Sequence, residues 1–256
     1  MLNFVIQDES CAAPVGVPVR ERRYPQPALG LVLSGSFEYR ANGSGTTAVP
    51  GALVMGNVEE TFSCRHLERG GNRRQVVKFA TRFLREIAVG LSLDEPTFRA
   101  AVVPPGELAA KSFGLMQRLA KPGEAGEEAA YELVGLALQV NRAELVCGRV
   151  SARNQNRILA VVAHLESRFH EPWTVQELAA LVPLSVYHFL RLFKAVVGQS
   201  PSQYILHSRL RAAASRLLVS RAPVSEVALQ SGFNDISHFN ACFRRQFGQS
   251  PMRWRA

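Results

Sequence analysis

The chain has 256 residues, 47% of them hydrophobic and 20% charged, a balance that suits two globular domains with cores of their own. No apolar run is long enough to span a bilayer and residues 1–16 lack the pattern of a signal peptide, which predicts a soluble cytoplasmic protein with no membrane partner. The net charge of +9 is uneven: residues 151–256 carry 13 Lys and Arg against 5 Asp and Glu, whereas residues 1–150 carry 17 against 16. A basic half joined to a neutral one predicts a polyanionic partner for the basic half, with double-stranded DNA the leading candidate.

From Arg20 to Phe79, short apolar runs are broken by turn residues. Leu29 to Tyr39 reads as strand, glycine-containing bend and strand, and Asn42-Gly43 with Ser44-Gly45 marks a tight hairpin connection. Pro50-Gly51 is a further turn before the apolar run Ala52 to Met55, and Gln75 to Phe79 is another strand. Many short strands with Gly and Pro turns predict a small sandwich or barrel over about residues 20–100. Cys64, His66 and Glu68 alternate and so would share one face of a strand. A metal centre normally draws about three ligands from different strands, and His66 is the one histidine of this half, so a polar strand edge is expected, with no metal, cofactor or catalytic residue. The cysteines (Cys11, Cys64, Cys147 and Cys242) show no paired spacing, which predicts neither a disulfide framework nor a zinc cluster.

From Glu107 to Cys147 the apolar period becomes helical. Leu108, Leu115 and Leu119 form one stripe and Leu133, Ala137 and Val140 another, with Lys121-Pro122-Gly123 between them. This predicts an antiparallel helical pair over about residues 107–147, packed on the strands, forming a homodimer contact, or both. The polar stretch Ser151 to Gln155 is taken as the boundary between domains 1–150 and 151–256.

Arg157 to Phe169 reads as a helix, and Thr174-Val-Gln-Glu177 is a capping box that opens another. After Pro183-Leu184-Ser185 a third helix runs over about 186–197, completing a helix-turn-helix unit at about 174–197. The unit is written twice. His188-Phe189 to Phe193-Lys194 and Gly198-Gln-Ser-Pro201 return as His238-Phe239 to Phe243-Arg244 and Gly248-Gln-Ser-Pro251, placing a second unit at about 224–247. Glu177-Leu-Ala matches Glu226-Val-Ala at an offset of 49 and the Phe pairs match at 50, so the second turn is expected to be one residue longer. Ser200-Pro-Ser-Gln203 is another capping box, opening a long helix with Leu206, Leu210, Ala213 and Leu217 at helical spacing. The whole is an α+β chain whose second domain is all-α.

A helical wheel at about 100° per residue sets Phe189, Leu192 and Phe193 inward and Tyr187, Arg191 and Lys194 outward. In the second unit Phe239, Cys242 and Phe243 face inward, Ser237, Ala241 and Arg244 outward, and Asn240 sideways. Expected DNA contacts are Ser185, Tyr187, Arg191, Lys194, Ser237, Asn240, Arg244 and Arg245. Arginine matches the guanine edge and asparagine the adenine edge, whereas Lys194 and Arg244, a turn further along, suit phosphates. His188 and His238 are read as packing or phosphate-contact residues.

Residues 157–255 resemble the AraC/XylS family of bacterial transcription regulators. The match is carried by Leu178-Ala179, Arg191-Leu-Phe-Lys194, Gly198-Gln-Ser-Pro201, Tyr204, Arg209-Leu210, Val227-Ala228, Gly232-Phe233, Asp235, His238-Phe239, Phe243-Arg244 and Ser250-Pro251. The resemblance implies two helix-turn-helix units reading adjacent major grooves, and for residues 20–100 a cupin-like sensory barrel that takes a small-molecule effector or supports dimerisation. It also implies a contact with RNA polymerase if the protein activates. Pro183 and Ala241 depart from the family pattern, and Ala241, where arginine is common, points to the first unit as the dominant reader. The alternatives are an architectural DNA binder without a preferred site, a cupin-type metal enzyme fused to a DNA-binding domain, and an alkylation-repair protein. The two enzymes would need clustered histidines or cysteines.

Overall fold

The computed structural model describes residues 3–41, 44–119, 124–140 and 150–255, and the chain divides into two compact units, 1–148 and 149–256. Among its described residues the first unit holds nine strands: β1 (Phe4–Cys11), β2 (Arg22–Arg23), β3 (Ala28–Ser34), β4 (Phe37–Ala41), β5 (Ser44–Ala48), β6 (Leu53–Gly56), β7 (Thr61–His66), β8 (Asn72–Phe79) and β9 (Val102–Val103). They form two antiparallel sheets, one in the order β1-β8-β3-β6-β9 and the other β2-β7-β4-β5. Val32 and Val54 of the first sheet share one buried cluster with Phe37, Tyr39 and Cys64 of the second. Helices α1 (Thr81–Gly90), α2 (Glu107–Leu119) and α3 (Glu124–Leu138) complete the unit, with α3 packed on both α1 and α2.

Several expectations are corrected here. The sheet region begins at Phe4, well before residue 20, because β1 pairs with β8 along its whole length. Its two faces are both half-exposed, so no clean apolar alternation marks it. Ser44 and Gly45 belong to β5 and lie outside the connection; Asn42 and Gly43, like Lys121 to Gly123 and residues 141–147 of the expected helical pair, lie outside the described residues. The polar stretch Ser151 to Gln155, taken as the domain boundary, lies at the start of the second unit and is helical from Ala152. Ser151 caps α4 (Ala152–Arg168) by accepting from the Asn154 amide, and the polar residues form its first turn.

The second unit continues with α5 (Val175–Ala180), α6 (Val186–Val197), α7 (Pro201–Val219), α8 (Val224–Gln230), α9 (Ile236–Phe247) and α10 (Pro251–Arg255). Both capping boxes are present: Thr174 with Glu177 opens α5, and Ser200 with Gln203 opens α7. Gly198 and Gly248, at φ 87° and 73°, end α6 and α9 in the left-handed conformation. The two connections within the helix-turn-helix units have equal length, residues 181–185 and 231–235. The extra residue falls inside α8, which has seven residues against six in α5. Helix α7 packs against α6, α8 and α10.

Gly232 sits at φ +89° with a tight surround: a Cβ there would stand 2.7 Å from the His170 carbonyl oxygen and 2.8 Å from Arg209 Nε. Gly248 has a similar φ, +73°, and open space around it. Gly248→Ala is expected to cost about 1–2 kcal/mol from backbone strain alone. Gly232→Ala should cost clearly more, since strain and displacement of the α4 terminus add. Urea denaturation of the two variants checks the order, and equal losses would place the Gly232 constraint in its dihedral angles only.

Candidate nucleic-acid interface

The two helices that stand second in their units are built alike. In α6, Phe189, Leu192, Phe193, Val196 and Val197 are buried, and in α9 Phe239, Cys242, Phe243 and Gln246 are. Edge-on ring contacts tie Phe189 to Phe193 and Phe193 to Tyr204, and Phe243 to Trp254, so each helix is anchored along one full face. The opposite faces are open. Tyr187 is 78% exposed, and Ser185, Arg191, Lys194, Ser237, Ala241, Arg244 and Arg245 are all exposed, with Asn240 half-buried. The outward set therefore lies where the wheel put it.

Two members of that set have additional work. Ser185 is the N-cap of α6, its hydroxyl accepting from the His188 amide at 3.4 Å. The Arg245 guanidinium reaches the Cys242 sulfur at 3.7 Å, and His238 Nε2 lies 3.3 Å from the same sulfur. Sequence reasoning passed over Asp235 as a cap: its carboxylate accepts from the amides of Ser237 and His238, at 2.7 and 3.1 Å, and so aims the first turn of α9. It also passed over Val186 and Ile236, the equivalent first residues of the two helices, which leave apolar side chains 37% and 38% exposed beside the polar set. The sign of that position lay in the repeat itself, since both copies carry a β-branched residue there.

Behind the helices, the Glu166 carboxylate accepts from the Tyr204 hydroxyl (2.8 Å), the Ser208 hydroxyl (2.8 Å) and Arg211 Nη2 (3.1 Å), joining α4 to α7. Burial pushes the Tyr204 hydroxyl well above its usual range, so it remains a donor to that carboxylate. Arg209 donates to the carbonyls of Phe169 and Glu171, at 2.8 and 2.7 Å, closing the end of α4; burial lowers its pKa.

The electrostatics follow from how the acids are engaged. Glu166 pairs with Arg211, Glu177 serves a capping box, Asp235 caps α9, and Glu226 accepts from Gln230. Among the described residues no ion-pair partner is found for Arg191, Lys194 or Arg244. Their charge is therefore open to an external anion.

In the other unit the structure brings together what spacing kept apart. The ligand atoms of Cys11, Cys64 and His66 all lie within 4.8 Å of one another, against the expectation of dispersed cysteines. Glu68, expected beside them, lies past the end of β7 and accepts from the Ser36 amide. Among the described residues no helix is long and apolar enough to cross a membrane.

A family described as a helix-turn-helix domain matches residues 178–256. A probable transcriptional regulator, LumQ of Photobacterium leiognathi, is 28% identical over 240 residues, covering 90% of this chain and 89% of its own. The transcriptional activator RhaS of Klebsiella pneumoniae is 31% identical over 123 residues, and the match covers 48% of this chain and 44% of RhaS. A solved transcriptional regulator from Chromobacterium violaceum, described as having an AraC-type DNA-binding domain, is 30% identical over 41% of this chain and 94% of its own, with a TM-score of 0.38.

Asp235→Ala should lower the stability of the second unit by about 1 kcal/mol, the usual loss of a cap, while Asp235→Asn retains most of it. Urea midpoints of the two variants check this; equal midpoints for both would show that charge, and not the cap, is what matters at this position.

Proposed function

Residues 178–256 belong to the AraC/XylS family of helix-turn-helix transcription regulators, and from that premise we propose that the chain is a one-component, sequence-specific regulator reading adjacent major grooves with α6 and α9. The observation that carries this is the open, uncompensated face of α6: Tyr187, Arg191 and Lys194 stand exposed along a helix anchored on its other side. In this reading Arg191 meets a base edge, Lys194 and Arg244 meet phosphates, and Ser185, Ser237, Asn240 and Arg245 position the helices or contact the backbone of the duplex. Helix α7, with 19 residues, is about 28 Å long at 1.5 Å per residue. Successive major-groove openings on one side of a duplex lie roughly 34 Å apart, so a rod of that length suits two readers placed one turn from each other. Ala241 offers α9 no polar reach at the position facing Arg191 in the repeat, so the first unit supplies most of the specificity.

For the first unit (about residues 1–150) we propose the sensory role that the resemblance implies, a cupin-like barrel taking a small effector, with α2 and α3 offering a homodimer contact. A ligand preferring one state of this unit would shift the population available for DNA binding. Activation, through contact with RNA polymerase in the cytoplasm, fits the description of RhaS as an activator.

Selection on random DNA tests the regulator reading: enrichment of one motif is expected, and enrichment of none would leave an architectural binder. On the selected site, Arg191→Ala should cost about 1–3 kcal/mol and relax preference at one base position. Lys194→Ala should weaken all sequences evenly and reduce the slope of log affinity against log salt by about 0.9. Equal losses on every sequence for both variants would remove Arg191 from base reading.

A further inference from the structure

We propose that Cys11, Cys64 and His66 form a zinc site that ties the two sheets of the first unit together. The proposal does not rest on the DNA-binding reading, since all three residues lie in the other unit.

Two thiolates and an imidazole are the donor set of a four-coordinate zinc centre that leaves its last position to water or another ligand. The donors come from both sheets: Cys11 ends β1 in the five-stranded sheet, while Cys64 and His66 lie on β7 in the four-stranded one. The three ligand atoms lie within 4.8 Å of one another, and His66 Nε2 is 3.1 Å from Cys11 Sγ. Two thiolates on one tetrahedral zinc stand about 3.8 Å apart, given Zn–S bonds of roughly 2.3 Å. Side-chain adjustments below about 1 Å therefore convert the present spacing into coordination.

The surroundings hold the donors in place. Gly71, at φ +74°, packs so closely that a Cβ would stand 2.0 Å from the Cys11 carbonyl oxygen, and a Cβ on Gly35 would stand 2.0 Å from the Gly71 carbonyl oxygen. The end of β1 is thus pinned by backbone against backbone. Asn72, the register partner of Cys11 on β8, lies beside the ring: its amide nitrogen is 3.5 Å from His66 Nδ1, and among the described residues its buried Oδ1 has no hydrogen-bond partner. Turning that amide by 180° lets Oδ1 accept from Nδ1–H, which fixes the tautomer and leaves the Nε2 lone pair facing Cys11. A ligating histidine requires this kind of outer support.

A bound dication replaces the two thiol protons, which leave to solvent, and the two thiolates neutralise it. Cys11 is only partly buried, so the ion has a way in.

Purified full-length protein, handled with a reductant, is expected to carry one equivalent of zinc per chain. Replacement by cobalt should give thiolate-to-metal charge-transfer absorption that zinc abolishes. Cys11→Ser and His66→Gln should each lose the band and the stoichiometric zinc, Asn72→Ala should weaken zinc binding about 10–100-fold, and Cys242→Ser should retain it. Because the fully buried His66 can be needed for folding, the partly exposed Cys11 decides: loss of the band in Cys11→Ser with an unchanged circular dichroism spectrum supports the site. Absence of the cobalt band in the unaltered protein overturns it, as does a Cys11–Cys64 disulfide that forms readily in air in protein giving no such band. Retention of stoichiometric zinc by Cys11→Ser overturns it as well.

Discussion

Arg209 is the side chain on which the geometry of the DNA-binding unit depends. Its guanidinium holds the carbonyls of Phe169 and Glu171 at the end of α4, and the same group packs against Gly232 in the turn of the second helix-turn-helix. One cation rising from α7 thus fixes the end of the first helix of the unit and the approach of the last pair. The Glu166 carboxylate performs the complementary task on α7 to either side of Arg209, gathering Tyr204, Ser208 and Arg211. Unpaired buried charge is costly, so these satisfied contacts specify a single seating of α4 on α7 more strongly than apolar packing alone would.

The same economy explains the open basic face. Glu177 and Asp235 serve caps, Glu166 serves the α4–α7 junction and Glu226 accepts from Gln230, and among the described residues no ion-pair partner is found for Arg191, Lys194 or Arg244. A basic surface here is a consequence of using carboxylates for architecture. The excess charge is therefore displayed where the helices lack a neighbour, which is also where a polyanion can approach.

Legibility of the sequence divided along the range of the interactions. Caps and helix stops act over three or four residues, so Thr174, Ser200 and the Gly-Gln-Ser-Pro signals announced their elements directly, and the Phe pairs announced the buried faces of α6 and α9. Where the local signal is weak the elements were missed. Helix α1 has Ala80 at its N-cap, with no side chain to accept a bond, and β1 is half-exposed on both faces. Ser151 to Gln155 marked the domain boundary without announcing a helix, because the first turn of α4 is largely polar. The gathering of Cys11 with Cys64 and His66 was beyond spacing altogether: it follows from β1 pairing with β8 and from the contact between sheets, over a separation of more than fifty residues. The outward faces of α6 and α9 were readable; which of their residues meet bases is a property of the complex.

Helix α7 also acts as a phase lock. One residue inserted into a continuous helix lengthens it by only about 1.5 Å but swings everything beyond by about 100°. The translation would pass unnoticed across a duplex; the rotation would turn α9 away from the side on which α6 stands. The separation and the angular register of the two helices are therefore not independent quantities in this chain, and the uninterrupted 19 residues of α7 set both at once.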